Sequence, residues 1–217
     1  MKYQKYKTIG TTFPDMTTVF SLPGEHQLKK GSLLTTLPQL SQEWRISFQF
    51  NPSNYNYNDY ANLFHLTVGS KSGAHGDRTP AMWFHPSYGF VLISSISGNP
   101  NYGKHLKLNI AVNQWSTITV SQDTSSGVFT FRLVVNGVEA FAIENTAPQG
   151  FKSVKVYASN PWHEAQPGLI RSLSIQTGDL LGEIRCCLTI FLCFFLLPSF
   201  LTDLADEDTL RRSLTRP

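Results

Sequence analysis

Tyrosines and side-chain amides alternate in one short segment of the sequence, and this mixture suits the recognition of sugars. The segment is Asn54-Tyr55-Asn56-Tyr57-Asn58-Asp59-Tyr60, and Asn99-Pro100-Asn101-Tyr102 repeats the chemistry further on. A sugar offers apolar C–H faces that stack on rings, and hydroxyls that bond to amides, which both donate and accept. Antibody paratopes use the same residue types to bind proteins. Both segments are predicted loops, and we predict ligand contacts from Tyr55, Tyr57, Tyr60 and Tyr102; tyrosines folded onto the domain edge are the alternative.

A second group of residues has the types that bind metal ions. Asp77 with neighbouring loop carbonyls would suit calcium, a hard cation that prefers oxygen ligands. The imidazoles of His65, His75 and His85 would suit zinc, but His65 and His85 lie within predicted strands, where packing or hydrogen bonding explains them. Asp77 beside Arg78 is also typical of a loop salt bridge. The sequence therefore leaves Asp77 as the candidate metal ligand, calcium as the candidate metal, and no other cofactor.

The acidic residues argue against a glycosidase. Retaining glycosidases need two carboxyl groups about 5 Å apart, which a strand supplies at positions i and i+2. Residues 1–178 hold nine acidic residues, and no two have that spacing. No serine lies in a Gly-x-Ser-x-Gly motif and residues 1–185 contain no cysteine, so no acyl-transfer nucleophile is visible. We predict no enzymatic activity; the alternative class is an enzyme of the glucanase or lyase type.

Residues 129–143 predict the β-hairpin that sets the class of the whole fold. Phe129, Phe131, Leu133 and Val135 occupy alternate positions, so one face of the strand is apolar. Asn136-Gly137 then supplies the two positive-φ positions of a type I′ turn, and the chain returns from Val138 to Ile143.

Other segments show the same alternation. In residues 44–50, Trp44, Ile46, Phe48 and Phe50 form an inward face, and the outward residues are Arg45, Ser47 and Gln49. About ten strands are expected between residues 28 and 175. The weaker ones cover 63–68, 81–85, 89–96, 115–122, 153–158 and 169–175. The predicted fold is all-β, a two-sheet antiparallel jelly-roll sandwich.

Composition narrows the range of partners. Charged residues make up 15% of the chain, against roughly 25% in an average domain. The net charge is +3 and no basic run exceeds two residues, so nucleic acid is not an expected partner.

The three cysteines, Cys186, Cys187 and Cys193, lie together near the C-terminus, so the predicted domain has no internal disulfide. The basic N-terminus lacks the apolar stretch of a signal peptide.

Residues 186–201 are uncharged and mainly apolar. As a helix, these sixteen residues would span about 24 Å, short of the roughly 30 Å membrane core. The segment is either a membrane anchor, the translation of a non-coding tract in a misassembled gene, or a buried segment. The predicted organisation is an N-terminal extension (1–24), a sandwich domain (25–178), a linker (179–185), the apolar segment (186–201) and a charged tail (202–217).

Several motifs in order resemble the concanavalin A-like lectin/glucanase superfamily, in particular laminin G-like domains. They lie at residues 42–48, 113–122, 133–137, 154–159 and 168–175: a Trp opening a strand, an Asn-Gly hairpin and a closing Ile-Arg-x-Leu-x-Ile strand. The resemblance covers roughly residues 25–178. It implies a jelly roll that recognises glycans or proteins on the extracellular side, sometimes with bound calcium.

Together these observations predict a non-catalytic recognition module that is extracellular or at the cell surface. Its expected partner is a glycan or an extracellular protein, bound through loop aromatics and amides. Residues 186–201 add a candidate contact with a membrane. The alternative within binding is a protein adhesion or assembly domain.

Overall fold

The computed structural model describes residues 16–55, 58–70 and 73–178, and within these ranges the chain forms strands and no helix. The strands are β1 (Met16–Leu22), β2 (His26–Gln27), β3 (Leu33–Leu40), β4 (Trp44–Pro52), β5 (Ala61–Thr67), β6 (Ala81–His85), β7 (Gly89–Ile96), β8 (Asn99–Leu106), β9 (Ser116–Asp123), β10 (Thr130–Val135), β11 (Val138–Glu144), β12 (Phe151–Tyr157), β13 (Glu164–Ala165) and β14 (Gly168–Gly178).

The strands form two sheets. Sheet 1 has the order β1-β14-β4-β9-β10-β11, with β2 beside β14, and sheet 2 has the order β3-β12-β5-β6-β7-β8, with β13 beside β5. All neighbouring strands are antiparallel except β13 and β5, which form a short parallel pair. The prediction of an all-β, two-sheet antiparallel jelly-roll sandwich is confirmed.

The core lies between the sheets and is built on the alternation predicted for residues 44–50. Residues of β4 alternate between buried and half-buried along the whole strand. Phe48 of sheet 1 stacks on Phe64 of sheet 2 with 5.3 Å between ring centroids, and Phe50 lies 5.7 Å from Phe84. These contacts fix the register of β4, because a slip by one residue would turn every ring to the opposite face.

The Asn-Gly hairpin forms as the sequence indicates. Asn136 and Gly137 have φ values of 50° and 78°, as a type I′ turn requires. The turn is tied to the neighbouring strand, because Thr117 donates its backbone N–H to Asn136 Oδ1 at 2.8 Å and Asn136 donates its own to the Thr117 carbonyl at 2.9 Å. The turn between β10 and β11 is therefore hydrogen-bonded to β9 as well as to its own two strands.

Two segments differ from the sequence-based expectation. Residues 99–106, expected to begin as a loop, form β8 and pair with β7 over most of their length. Sheet 1 also begins before residue 25, where the sandwich domain was predicted to start, because β1 pairs with β14 from Met16 to Leu22. Val19, Phe20 and Leu22 pack against the core, so β1 belongs to the sandwich.

Removing residues 1–24 should destabilise the protein, whereas removing residues 1–15 leaves β1 in place. Loss of three partly buried apolar side chains should cost about 2 kcal/mol, which lowers the melting temperature by roughly 4 to 8 °C for a chain of this size. Calorimetry on the two truncations of the otherwise full chain measures the difference. Equal melting temperatures would mean that β1 adds nothing to the stability of sheet 1.

Residues 179–217 lie outside the described residues, and with them the predicted linker, apolar segment and charged tail. In the part of the chain that the structure describes, no helix has the length and apolar character needed to cross a bilayer.

Candidate functional site

Sheet 2 carries a second, smaller apolar cluster on the face turned away from the core. Met82 and Phe84 of β6 belong to the main core, whereas Ala81 and Trp83 belong to this second cluster with Val91. Successive residues of a strand point to opposite faces, so β6 is buried on both sides. The outer face of sheet 2 is therefore a partly covered surface.

Strand register brings the site residues into one row on this outer face. Trp83 of β6 pairs with Val91 of β7, and Val91 pairs with His105 of β8. Side chains of directly opposed residues lie on the same face. Arg78 from the β5–β6 loop and His163 from the β12–β13 loop lie beside this row.

Together these elements enclose a cavity of about 230 Å³. We call it the aromatic cleft. It is lined by Tyr60, Arg78, Trp83, Val91, Ile93, His105 and His163. No Asp or Glu is among these lining residues, so among the described residues of the lining only Arg78 carries a formal charge of fixed sign.

Rings continue from the cleft along the sheet. Tyr88 stacks between His85, at 4.3 Å between centroids, and His105, at 4.6 Å. Tyr60 lies 4.6 Å from His85, and Trp83 meets the edge of His163 at 5.7 Å. Tyr88 is 46% exposed, so this row of rings extends from the cleft to the protein surface.

His65 joins the two loops that flank the cleft. Its Nε2 lies 2.7 Å from the Asp77 carbonyl oxygen, and its Nδ1 lies 2.8 Å from Asn160 Nδ2. A carbonyl only accepts and an amide NH₂ only donates, so Nε2 carries the proton and Nδ1 accepts. His65 is fully buried, and burial lowers its pKa from 6.5 to about 4. The neutral imidazole thus connects the Arg78 loop with the His163 loop.

Asn160 holds the second of these loops in shape. Its Oδ1 accepts the backbone N–H groups of Trp162 at 3.0 Å and His163 at 2.9 Å. It also accepts from His163 Nδ1 at 3.2 Å. Asn160 donates its own backbone N–H to Asn62 Oδ1 of β5 at 2.7 Å. The position of the His163 ring therefore depends on a buried amide network beneath it.

Arg78 is held in place on the opposite side of the cleft. Its Nη1 donates to Asn101 Oδ1 at 2.8 Å, and its guanidinium carbon lies 5.6 Å from the centroid of Trp83. Burial lowers the pKa of Arg78, an effect opposed first by Asp77 and then by Tyr60. The pKa of the Tyr60 hydroxyl is raised, mainly by burial and next by Tyr88. The shift of Tyr60 favours its protonated form, and a guanidinium stays charged in proteins.

The indole N–H of Trp83 is a buried donor. The residue is 2% exposed, and its Nε1 has no hydrogen-bond acceptor among the described residues. A buried donor without an acceptor is costly. Because this nitrogen is inaccessible, Trp83 offers the cleft apolar ring surface and no exposed donor.

Of the three predicted ligand-contacting tyrosines that the structure describes, Tyr60 lines the cleft and the other two do not. Tyr55 packs on Phe84 of the core at 5.1 Å and donates its hydroxyl to the Ile110 carbonyl at 2.8 Å. Tyr102 lies on the inner face of β8, where its ring stacks on Phe141 at 6.4 Å. Tyr57 lies outside the described residues. Tyr55 and Tyr102 are therefore separated from Tyr60 by sheet 2 itself.

Asp77, the predicted metal ligand, organises its own loop. The residue is 3% exposed, and its two carboxylate oxygens accept the backbone N–H groups of Ser70 at 2.8 Å and Ala74 at 2.9 Å. Across residues 16–55, 58–70 and 73–178, no group of three or more His, Cys, Asp or Glu side chains is arranged to hold a metal ion. Calcium binding at Asp77 stays a prediction.

Sequence reasoning missed most of the cleft. Trp83, His105, Arg78 and His163 come from four separate parts of the chain, and only strand register and loop packing bring them together. One local signal was present: Ala81-Met82-Trp83-Phe84 is an unbroken apolar run, which is typical of a strand buried on both faces.

No family model matches the sequence, and no curated protein matches it. Among solved structures, the CBM40 of the Ruminococcus gnavus IT-sialidase, bound to α2,3-sialyllactose, aligns with a TM-score of 0.54 and 14% identity over 80% of this chain and 98% of that chain. A leech intramolecular trans-sialidase aligns with a TM-score of 0.50 and 13% identity over 79% of this chain and 27% of that chain. These likenesses show a jelly-roll sandwich fold and do not single out a laminin G-like domain.

Proposed function

We propose that this chain is a non-catalytic glycan-recognition module and that the aromatic cleft is its binding site. The observation that carries the proposal is the composition of the cavity wall, which combines Trp83 and Tyr60 with the polar heads of Arg78, His105 and His163. Tyr60 and His163 are half-buried and His105 is exposed, so each keeps ring surface open to a ligand. Apolar walls with a few placed polar groups are typical of small-molecule sites.

The size of the cleft favours a single sugar residue. Its volume of about 230 Å³ is below the roughly 300–1,000 Å³ of pockets that enclose drug-sized ligands. One sugar ring at the end of a chain would enter the cleft, and the rest of the chain would run along the rings of His85, Tyr88 and His105. A terminal residue of a glycan is therefore the proposed ligand.

The comparison with the CBM40 supports the choice of glycan over other small ligands. That module has a similar fold and is bound to sialyllactose. A fold by itself does not fix a function, so the proposal depends on the cleft and the comparison only favours the ligand class. Glycans of this kind are displayed outside the cell, which is the location we propose for this module.

Binding without catalysis is proposed because the cleft lacks the groups that would cleave a glycosidic bond. Hydrolysis by the common mechanisms needs a pair of carboxyl groups. The described residues that line the cleft include no Asp or Glu, so its wall lacks the carboxyl pair of those mechanisms.

A glycan array probed with the full-length protein, with and without calcium, tests the proposal. Tyr60→Leu should weaken binding to the best glycan by about 1 to 2 kcal/mol, because an aromatic contact in a site carries a large share of the binding energy. The matched control is Trp115→Leu. The Trp115 ring lies under Arg171 of β14, 3.9 Å from the guanidinium carbon, and its loss should not affect affinity. An empty array, or equal affinities of Tyr60→Leu and the unmodified protein, would refute glycan binding in this cleft.

A further inference from the structure

The geometry points to a narrower ligand class: we propose that the aromatic cleft takes a glycan whose terminal sugar carries a carboxylate, with that carboxylate at the Arg78 guanidinium. This inference rests on the proposed function above and names the kind of sugar that the same site binds.

The charge of the cleft wall is the first argument. Among the described residues, Arg78 is the one lining residue with a fixed charge, and His105 and His163 add imidazoles. Three acidic residues are adjacent in sequence to lining residues. Asp77 acts electrostatically on Arg78 but directs its two carboxylate oxygens to loop N–H groups. Asp59 is 82% exposed beside His85, and Glu164 pairs with Lys30 at 2.7 Å. Since none of the three lines the cleft, the charge of the described wall favours an anion.

The balance of hydrogen-bond donors and acceptors is the second argument. Arg78 is an obligate donor, whereas Tyr60 and the imidazoles both donate and accept. A carboxylate only accepts, so it complements the donor-only guanidinium, and Tyr60 and the imidazoles can donate to it as well. A sugar hydroxyl can also accept a hydrogen bond from Arg78, but, unlike a carboxylate, it also donates one and therefore needs an acceptor in the cleft.

The placement of Arg78 is the third argument. Asn101 fixes one end of the guanidinium and the Trp83 ring lies beneath it at 5.6 Å. A guanidinium that is already ordered loses less rotamer freedom when it pairs with an anion. The guanidinium forms charge-assisted hydrogen bonds with carboxylates and with tetrahedral oxyanions. A sulfate ester spreads its single charge over three oxygens and a carboxylate over two, so each carboxylate oxygen is the stronger acceptor. Partial burial strengthens the pairing, because the local dielectric constant is lower than that of water.

Titration calorimetry on the full-length protein tests the inference with four probes: lactose, α2,3-sialyllactose, a disaccharide ending in glucuronic acid and 3′-sulfated lactose. At least one of the two carboxylated probes should bind about tenfold or more tightly than lactose, as expected for a charge-assisted pair. The two arms distinguish a sialic acid from a uronic acid. The sulfated probe should bind more weakly than the better carboxylated one.

Variants of Arg78 locate the carboxylate. Arg78→Gln should lower the affinity for the better carboxylated probe by about tenfold more than the affinity for lactose, so that the preference for the acidic probe disappears. Arg78→Lys should keep part of that preference, because an ammonium retains the charge but lacks the fork. Arg171→Gln is the matched control, since Arg171 also covers an indole ring, that of Trp115 on sheet 1, and should not alter any affinity. Melting curves confirm that each variant is folded, and the probe comparison on the unmodified protein stands without them.

The outcomes separate this inference from the proposed function. Equal binding of lactose and both carboxylated probes would refute the claim that the terminal sugar is acidic, but not the claim that the protein binds glycans. Tighter binding of the sulfated probe than of either carboxylated probe would refute the claim that the acidic group is a carboxylate. A preference for acidic sugars that survives Arg78→Gln would overturn the role of Arg78. No binding by any probe, together with an empty array, would refute glycan recognition itself.

Discussion

Phe48→Ala should lower the free energy of unfolding by about 3 to 5 kcal/mol, the usual cost of emptying the space of a buried Phe. The side chain is 1% exposed and its ring stacks on Phe64 of the opposite sheet at 5.3 Å. Removing it leaves a cavity between β4 and β5, where neighbouring strands prevent collapse. Denaturant unfolding monitored by tryptophan fluorescence measures the loss.

Gln49→Ala is the control for this prediction because it changes the next residue of the same strand. Gln49 is half-buried on the outer face of sheet 1 and accepts a hydrogen bond from Arg171 Nε at 2.7 Å. Its loss should cost about 1 kcal/mol or less, the net worth of one such bond. If the two variants unfold at the same denaturant concentration, the register of β4 is wrong.

The stability of the domain should fall by about 2 kcal/mol between pH 7 and pH 5 on account of His65 alone. Burial lowers the folded-state pKa of His65 to about 4, from 6.5 in an unfolded chain. Between these values the unfolded chain binds a proton that the folded chain does not, so stability is full above pH 6.5 and is lost as the pH falls toward 4. Protonation in the folded state would also turn Nδ1 into a donor facing Asn160 Nδ2.

His65→Gln tests the origin of this pH dependence. The variant should be less stable at pH 7, yet its unfolding free energy should change less between pH 7 and pH 5 than that of the unmodified protein. His105→Gln, which removes an exposed imidazole, should keep the original slope. The same slope in all three proteins would mean that His65 titrates normally and does not hold the two loops together.

The parts of the fold that sequence predicted best are those whose signals are local. Alternation over residues 44–50 and the Asn136-Gly137 turn each specify a strand or a hairpin without any distant contact. By contrast, β8 contains Pro100 and Gly103 in a polar segment, so nothing in its composition favours a strand. It is a strand because β7 offers a free edge with which it pairs. The same reason applies to β1, which completes sheet 1 at β14.

Among the described residues that line the cleft, Tyr60 is the one that the sequence had suggested as a ligand contact. Tyr55 and Tyr102 have the same residue type and similar polar neighbours, but their side chains fall on the core side of sheet 2. Which face a tyrosine takes depends on strand register and on bulges, such as the irregularity between Asn62 and Phe64 in β5. The other residues that line the cleft come from β6, β7, β8 and two loops. No sequence pattern within one of these segments predicts that the other segments lie beside it.

Sheet 2 separates the residues that hold the sandwich together from those that would meet a ligand. Phe90 and Leu92 of β7 point into the core, whereas Val91 and Ile93 point to the cleft. A combinatorial library that randomises Tyr60, Ile93, His105 and His163 would therefore change four of the residues that line the cleft and leave the core-facing residues of sheet 2 unchanged. In evolution the same arrangement would let specificity diverge quickly while alternate positions of the same strands stay unchanged.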